Sequence, residues 1–408
     1  MEIPGGWLTA KRLRAHGTIL AVCLWSLYIW NLAIPGLRDR AGNLKGTDFL
    51  HLYTLGSLAL AHDGADLYDM NTQAAIAAKR VPAAAGIRYL PLYPPQVSIL
   101  FLPLAHLSYA WALAIWWICT AACYGWLCCT FWRFCPNLRG YGGTVAVLAL
   151  GYPGFFHVIA WGQTSVLALL CFAGAFFLLR NKHEFYAGMA LGCLAFKPQL
   201  GIASVIVLLM LGRWKVLAGG ILSAALQFAA GVLYYSVGPL REWVRILWHV
   251  DSVMALLEPK PYQTHSFRTF WSMLLPWNHV AFGIYVLTTV LVLWLTIDIW
   301  RRGDSVPLQV RYSALLLATV LVAPHLTVYD LVILAPAILL LADWILSQSV
   351  NQRTHRLGTL LYLVYALPLI GPFSRWTHLQ LSVLAIGTTL YLLWRVSSRI
   401  KADSEFTA

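Results

Sequence analysis

The chain has 408 residues, of which 60% are apolar and only 11% are charged, and its formal net charge is +13. A soluble globular domain carries about twice this charged fraction, so the composition argues against a water-soluble enzyme. The Lys and Arg residues lie mostly in pairs between apolar runs, for example Arg180 with Lys182 and Arg213 with Lys215. Basic loops of this kind mark the cytoplasmic side of a membrane protein and argue against a nucleic-acid partner.

The first predicted membrane helix lies near the N-terminus. Lys11, Arg12 and Arg14 precede an apolar run from Gly17 to Ile34, and no small-residue cleavage site follows it. We therefore expect a retained first span whose basic end is cytoplasmic. Residues 37–92 would then form a first periplasmic loop.

This first loop contains a predicted surface helix. Apolar or small residues recur at helical spacing at Phe49, Leu52, Gly56, Ala59 and Leu60. Thr47 is the expected N-cap and Gly64 the expected stop. Asp48 would lie in the first turn, where free N–H groups and the helix dipole favour an ionised carboxylate. Two interpretations follow: Asp48 is a general base at the mouth of a membrane cavity, or it only caps the helix.

The middle of the chain contains apolar pieces of about half a membrane span, at residues 97–104, 188–196 and 201–211. If the basic loops are all cytoplasmic, the sequence must turn outside at Gly162-Gln163 and at Lys197-Pro198. Short helices that end at mid-depth would leave a cavity open to the outside, where irregular backbone is tolerated.

Lys197 lies within an otherwise apolar stretch of roughly 25 residues, longer than a membrane span. A cation at membrane depth costs about 2.5–3.5 kcal/mol on insertion scales, so a functional anionic partner is the first interpretation. The alternative is that the side chain only extends to the interface.

The last third of the chain contains a second predicted periplasmic loop, residues 238–278, which includes Arg268. Five spans follow, starting near Ala281, Arg311, Val328, Leu357 and Leu379. The turn at 323–330 faces outward and holds His325, Tyr329 and Asp330. We expect one all-α integral membrane domain over residues 1–408, with about 10–12 transmembrane helices and both termini cytoplasmic.

Four parts of the chain thus send polar groups to one face: Asp48, Lys197, Arg268, and His325 with Tyr329 and Asp330. One carboxylate among several cations suits a reaction that needs one general base and that stabilises a departing phosphate. A glycoside hydrolase, in contrast, needs two opposed carboxyl groups. No Asp-x-Asp pair occurs, so a metal-held nucleotide sugar is not expected. The eight Cys residues predict neither disulfides nor a zinc site, and we expect no metal and no cofactor.

Several short motifs occur in a recognisable order. They are Asp48-Phe49 with Tyr53 and Gly64 to Asp69, Tyr93-Pro94-Pro95 with Leu102 to Leu104, Gly162-Gln163, Ala187-Gly188 with Lys197-Pro198, Arg213-Trp214, Ser266 to Arg268, Pro324-His325 and Tyr329-Asp330. Together, over about residues 45–340, they resemble glycosyltransferase family 87. These are bacterial membrane proteins of the C-type glycosyltransferase fold, and they include mycobacterial mannosyltransferases.

The resemblance implies transfer of a sugar, such as a mannose-like hexose, from a polyprenyl-phosphate donor to a lipid or glycan acceptor. The transfer would occur on the periplasmic side of the inner membrane, among membrane lipids and without a nucleotide. The acidic base of the family's first outer loop falls on Asp48, and inversion is the simplest outcome.

The remaining candidate residues would bind substrate. Lys197, Arg268 and His325 are candidates for the donor phosphate, and Tyr93 and Gln163 for sugar hydroxyls, with Tyr329 and Asp330 in the same turn as His325. Tyr93 and Gln163 are equally explained as an interfacial anchor and a satisfied buried polar group.

The sequence departs from the family at two motifs. It has Thr164-Ser165 where members often have Asn, and Thr327-Val328-Tyr329 where some have Trp-His-His. The sugar is therefore left open.

Two other functions stay open. A transporter or flippase of a lipid-linked sugar tends to show matching halves with broken helices, which this sequence lacks. A polysaccharide polymerase or ligase is expected to carry its largest outer loop late in the chain, whereas here that loop follows the first helix.

Overall fold

A computed structural model describes residues 8–250, 258, 260–349 and 351–406, with side chains described as far as Ser398. Within these ranges the chain is about 80% helical, and the only β pairing is two isolated bridges, Arg38 with Leu44 and Thr264 with Thr327. Residues 251–257 and 259 of the predicted second loop lie outside the described residues.

The first half of the chain forms helices of very different lengths. They are α1 (Ala10–Leu32), α2 (Phe49–Leu60), α3 (Met70–Arg80), α4 (Gln96–Ala105), α5 (Tyr109–Phe134), α6 (Gly142–Leu150), α7 (Pro153–Trp161), α8 (Ser165–Arg180), α9 (Glu184–Gly192) and α10 (Ile202–Met210). Short 3₁₀ turns lie between several of them, and two of these turns, Cys193–Phe196 and Pro198–Leu200, flank Lys197.

The second half contains most of the long helices. They are α11 (Trp214–Tyr235), α12 (Gly238–Trp248), α13 (Phe267–Leu274), α14 (Asn278–Arg301), α15 (Leu308–Val322), α16 (Ala335–Ser347), α17 (Gln352–Ala366), α18 (Ser374–Thr377) and α19 (Leu381–Phe406). A 3₁₀ segment, Val328–Leu334, leads directly into α16.

Seven helical segments in the described residues are long and apolar enough to cross a membrane: Ala10–Leu32, Tyr109–Phe134, Trp214–Tyr235, Asn278–Arg301, Val328–Ser347, Gln352–Thr377 and Leu381–Ser398. An eighth arises if Pro136–Leu150 and Pro153–Trp161, which are bent by 44° relative to each other, count as one broken span. The predicted all-α polytopic membrane protein is confirmed. Fewer helices than the expected 10–12 reach full length, because six apolar helical segments have only 10–17 residues.

Apolar side chains cover much of the outer surface of the long helices. Leu27, Trp111, Leu233 and Leu287 are each more than 60% exposed. Exposed apolar surface on this scale is costly in water and is expected where lipid tails replace water. The composition of the helices and their exposed faces therefore agree on a membrane-embedded protein.

Helix α2 differs from its prediction. It was expected on the membrane surface with one apolar face, yet every residue from Phe49 to Ala59 is buried. The prediction was wrong because leucine and tyrosine side chains occupy all sides of this helix, not one stripe. At Gly56 a Cβ atom would lie 2.4 Å from the carbonyl oxygen of Phe101, so α2 and α4 pack backbone to backbone. The helix also ends at Leu60, before the expected stop at Gly64.

The breaks in the middle of the chain were predicted at the right places. Helix α7 ends at Gly162, whose φ of 72° is left-handed and strained for other residues. Helix α8 then begins at Ser165, while Lys197 separates two 3₁₀ turns. These breaks place Gln163 and Lys197 in irregular backbone among buried helices, which is where polar groups can be held at depth.

Candidate active site

Asp48 lies at the junction between the first loop and α2, outside the seven long spans. It is the N-cap residue of α2, but its side chain makes no capping hydrogen bond. The interpretation of Asp48 as only a helix cap is therefore wrong. Its backbone N–H donates to the carbonyl of Trp161 (2.9 Å), which fixes the residue against the end of α7.

The carboxylate of Asp48 is oriented by a side chain from the break between α7 and α8. Nε2 of Gln163 donates to Oδ2 of Asp48 at 2.5 Å. The hydroxyl of Tyr93 donates in turn to Oε1 of Gln163 and lies the same distance, 3.4 Å, from Oγ1 of Thr164. The structure thus brings together Asp48, Gln163 and Tyr93, three predicted site residues from distant parts of the sequence.

The environment of Asp48 favours proton transfer near neutral pH. Burial raises the pKa of Asp48 to about 6, although the hydrogen bond from Gln163 and the charges of Lys197 and Lys260 act to lower it. The residue is only partly buried, so one side remains accessible. A carboxylate with a pKa near 6 is ionised at pH 7 and still basic enough to accept a proton.

Lys197 has a partner within the protein. Its Nζ lies 2.9 Å from Oδ1 of Asp330 and 3.1 Å from Oγ of Ser165, and the Ser165 hydroxyl donates to the same Asp330 oxygen at 2.6 Å. Lys197 and Asp330 are 5% and 1% exposed. This buried ion pair joins the two chain breaks to the segment before α16, and any phosphate at Lys197 would share the cation with Asp330.

Thr327 and Tyr329, on either side of Val328, also contact the Lys197–Asp330 pair. Oδ2 of Asp330 accepts from the N–H (3.3 Å) and hydroxyl (3.4 Å) of Thr327, which starts the 3₁₀ turn. Nζ of Lys197 lies 4.9 Å from the centre of the Tyr329 ring, whose edge contacts Trp161. These contacts stabilise the ammonium group by hydrogen bonds, opposite charge and the aromatic face together.

Arg268 and His325 lie in a second cluster, around Glu258. Oε1 of Glu258 is 2.8 Å from Nδ1 of His325 and 3.4 Å from Nη1 of Arg268, and its Oε2 accepts from the hydroxyl of Thr269 at 3.2 Å. The Arg268 side chain remains 24% exposed and that of His325 19%. Two basic side chains thus share the Glu258 carboxylate while keeping accessible surface.

The two clusters are neighbours through the chain segments that carry them. His325 and Asp330 belong to one short segment, whose residue Thr327 pairs with Thr264. Lys260, two residues after Glu258, lies near enough to lower the pKa of Asp48. Lys260, which is exposed, therefore lies on the same side of the molecule as the Asp48 carboxylate.

Sequence reasoning missed three residues of this site. Ser165 bridges Lys197 and Asp330, and Glu258 collects Arg268 and His325, but neither stands out in sequence because a lone Ser or Glu has no motif. His51, one turn after Asp48, stacks on Tyr89 with ring centres 5.1 Å apart, and its Nε2 has no hydrogen-bond partner among the described residues. Burial lowers the pKa of His51 to about 4, so the ring is neutral at pH 7. A histidine within an apolar helix was the available signal.

Comparison with known proteins gives one match. A model of glycosyltransferase family 87 matches residues 92–324, more than half of the chain. The matched region contains Tyr93, Gln163, Lys197 and Arg268, whereas Asp48 precedes it, and His325, Tyr329 and Asp330 follow it. No curated protein and no solved structure matches the chain.

Proposed function

Because the chain belongs to glycosyltransferase family 87, it is a membrane glycosyltransferase, and we propose that it transfers a mannose-like hexose from a polyprenyl-phosphate donor to a lipid or glycan acceptor. We place the reaction on the periplasmic side of a bacterial inner membrane, with both termini cytoplasmic. The orientation rests on α8, which begins at the candidate site with Ser165 and ends in a basic loop at Arg180. Family membership favours this function over a flippase or a polysaccharide polymerase.

The contacts of Asp48 carry the proposal. Its carboxylate makes no capping hydrogen bond to α2 among the described residues, is oriented by Gln163 and stays partly accessible. Such a carboxylate is free to accept a proton from a substrate hydroxyl. Asp48 is therefore assigned as the general base.

The reaction then proceeds by a single displacement. An oxygen of Asp48 takes the proton of the acceptor hydroxyl as the acceptor oxygen bonds to the anomeric carbon. The bond between that carbon and the phosphate oxygen breaks, and its electron pair leaves with the polyprenyl phosphate. Attack opposite to the leaving group inverts the anomeric carbon.

In this proposal, basic side chains stabilise the leaving phosphate, and no metal ion is needed. Arg268 and His325 share the carboxylate of Glu258 and keep accessible surface, and Lys260 is exposed. These side chains suit the phosphate, whose charge grows as it departs, because preorganised cations stabilise developing charge. A guanidinium also presents paired donors that match phosphate oxygens.

For Lys197 the contacts favour a positioning role over direct phosphate binding. Its charge is already met by Asp330 at 2.9 Å in a buried setting. The pair connects the chain breaks that present Gln163 and the segment that presents His325. Lys197 also adds positive potential near Asp48, which helps to keep that carboxylate ionised.

Sugar hydroxyls are assigned to polar groups around Asp48. Tyr93 and Gln163 already form one hydrogen-bond chain with the base. The unpartnered Nε2 of the neutral His51 ring adds another group that suits a hydroxyl. These residues would hold the acceptor or donor sugar against Asp48.

A donor assay tests the proposed function. The purified full chain in detergent is given synthetic polyprenyl-phosphate mannose or polyprenyl-phosphate glucose, with a lipid-linked glycan acceptor and EDTA. We expect release of polyprenyl phosphate together with a glycosylated acceptor. Transfer that occurs only from GDP-mannose or UDP-glucose, or only when magnesium or manganese is restored, would contradict the proposed donor and the metal-free mechanism.

A further inference from the structure

A polar cavity lies at the other end of α8 from the candidate active site. It has a volume of about 770 Å³ and lies where three basic loops meet, around residues 179–186, 213–216 and 300–311. Helix α8 has 16 residues and a rise of about 1.5 Å per residue, so its two ends are ~24 Å apart. The cavity is therefore separate from the site around Asp48.

The lining of this cavity is basic. It contains five Arg or Lys side chains and two acids, Glu184 and Asp304. Both acids are used in ion pairs, Glu184 with Arg213 at 2.9 Å and the fully exposed Asp304 with Arg311 at 3.2 Å. The cavity therefore has an excess of positive charge that its own acids do not neutralise.

Two buried donors in the lining have unmet hydrogen bonds. Arg311 and Trp300 are 7% and 5% exposed, and the guanidinium lies 5.6 Å from the centre of the Trp300 ring. Among the residues that the structure describes, Nε of Arg311 and Nε1 of Trp300 have no hydrogen-bond partner. A buried N–H without an acceptor is unfavourable, so an acceptor oxygen bound at this side of the cavity would be stabilised by these donors.

The arrangement of the cations points to the same ligand charge. Arg213 and Arg311 line the same cavity and carry like charges, which repel each other. An anion between them would relieve this repulsion. A phosphate suits the site best, since a guanidinium fork and an indole N–H both donate to phosphate oxygens.

The rim of the cavity suggests how the anion arrives. Phe185 and Tyr186 line the cavity and are 37% and 59% exposed, and Trp214, beside Arg213, is 66% exposed. These apolar rings lie on helices of a membrane protein, where exposed apolar surface faces acyl chains. A lipid can therefore place its headgroup in the cavity and its chains along these rings, which a soluble phosphate compound cannot do.

We propose that this cavity binds the phosphate of an anionic membrane lipid, held by Arg311 and Trp300 and surrounded by Arg213 and Lys215. Basic pockets between helices on the cytoplasmic side bind anionic headgroups in this way. The site does not depend on the sugar or on the acceptor of the proposed reaction.

Native mass spectrometry of the purified full chain tests the proposal. Phosphatidylglycerol or phosphatidylcholine is added to the protein in detergent, and the apparent Kd of each is measured. We expect phosphatidylglycerol to bind at least tenfold more tightly, and Arg311→Gln to weaken it at least tenfold. Arg353→Gln, at an exposed arginine in the first turn of α17 and outside the cavity, is the matched control and should leave binding within twofold.

The design separates the outcomes. If Arg311→Gln does not fold, Lys215→Gln, at an exposed position, is measured instead. We expect it to weaken phosphatidylglycerol binding at least threefold. Equal binding of both lipids, or cavity variants that behave like Arg353→Gln, would overturn the proposal. Inorganic phosphate is the third probe: if it binds at the same residues while phosphatidylglycerol shows no preference, the cavity belongs to a soluble phosphate compound and the lipid assignment is wrong.

Discussion

Gln163 donates a 2.5 Å hydrogen bond from Nε2 to Oδ2 of Asp48, and so joins two residues 115 positions apart. The contact connects the first loop to the break between α7 and α8. It also lowers the pKa of a carboxylate that burial raises to about 6. Orientation and basicity of Asp48 thus both depend on one amide.

Gln163→Met removes this hydrogen bond while nearly keeping the side-chain length. We expect kcat/KM to fall at least tenfold, about 1.4 kcal/mol of lost transition-state stabilisation. Because the bond lowers the pKa of Asp48, its loss should also move the acid limb of the pH profile to higher pH. Steady-state transfer assays from pH 5 to 8 measure both effects.

Gln227→Met is the control for this change. Gln227 lies on α11, away from Asp48 in the chain, and donates to the backbone carbonyls of Gly192 and Ser223. Its variant should keep the wild-type pH profile. An unchanged acid limb in Gln163→Met would show that the amide does not act on the base.

The pH dependence of the wild-type enzyme follows from Asp48. A base must be ionised, and the pKa of Asp48 is raised to about 6. Activity should therefore be full well above pH 6 and fall as the pH drops through 6, by about tenfold for each further unit. A profile that stays flat down to pH 4.5 would contradict Asp48 as the base.

The buried pair of Lys197 and Asp330 predicts a non-additive result. Either Lys197→Met or Asp330→Leu leaves an uncompensated buried charge, which typically costs about 3–5 kcal/mol. The double variant removes both charges and should recover most of the stability lost in each single variant. Thermal unfolding in detergent measures the three free-energy changes.

The same variants distinguish the two roles of Lys197. If it positions the chain breaks, stability and activity should be lost and recovered together. If Lys197→Met unfolds at the wild-type temperature and raises only the KM for the donor, Lys197 binds the donor phosphate as the sequence first indicated.

Arg268→Gln should weaken donor binding without loss of stability. Its side chain is 24% exposed and Nη1 is 3.4 Å from Glu258, and after the change this carboxylate still has His325 and Thr269 as partners. We expect the KM for the polyprenyl-phosphate donor to rise at least tenfold while the KM for the acceptor stays within twofold. Arg241→Gln, on the exposed side of α12, is the control, and equal effects of the two variants would remove Arg268 from the donor site.

Much of the fold could be predicted from hydrophobic run lengths, because a bilayer constrains them directly. The breaks at Gly162 and Lys197 were visible for the same reason, as polar or flexible residues in apolar stretches. The position of α2 was not predicted. The prediction used only the apolar residues on one face of this helix, whereas the helix is apolar on all sides and is therefore compatible with burial in protein.

The sequence singled out several residues that the structure brings together, but it did not predict which of them pair. Lys197 was expected to need an anion, and the structure supplies Asp330, from 133 positions away. No local pattern reports such a contact, because it depends on how the helices pack. Glu258 was missed for the same reason, although it contacts both Arg268 and His325.

The most direct test of the account is the kcat of Asp48→Asn, measured as hexose transfer from synthetic polyprenyl-phosphate mannose or polyprenyl-phosphate glucose in detergent. Asparagine keeps the shape of the side chain but cannot accept the proton, and general-base catalysis contributes about 10²–10⁴-fold. Asp63→Asn and Asp69→Asn are the controls, since Asp69 caps α3 and asparagine caps equally well. The account predicts a fall of roughly a hundredfold or more for Asp48→Asn alone, with donor binding and folding intact. Activity within about threefold of wild type, in a normally folded variant, would contradict it.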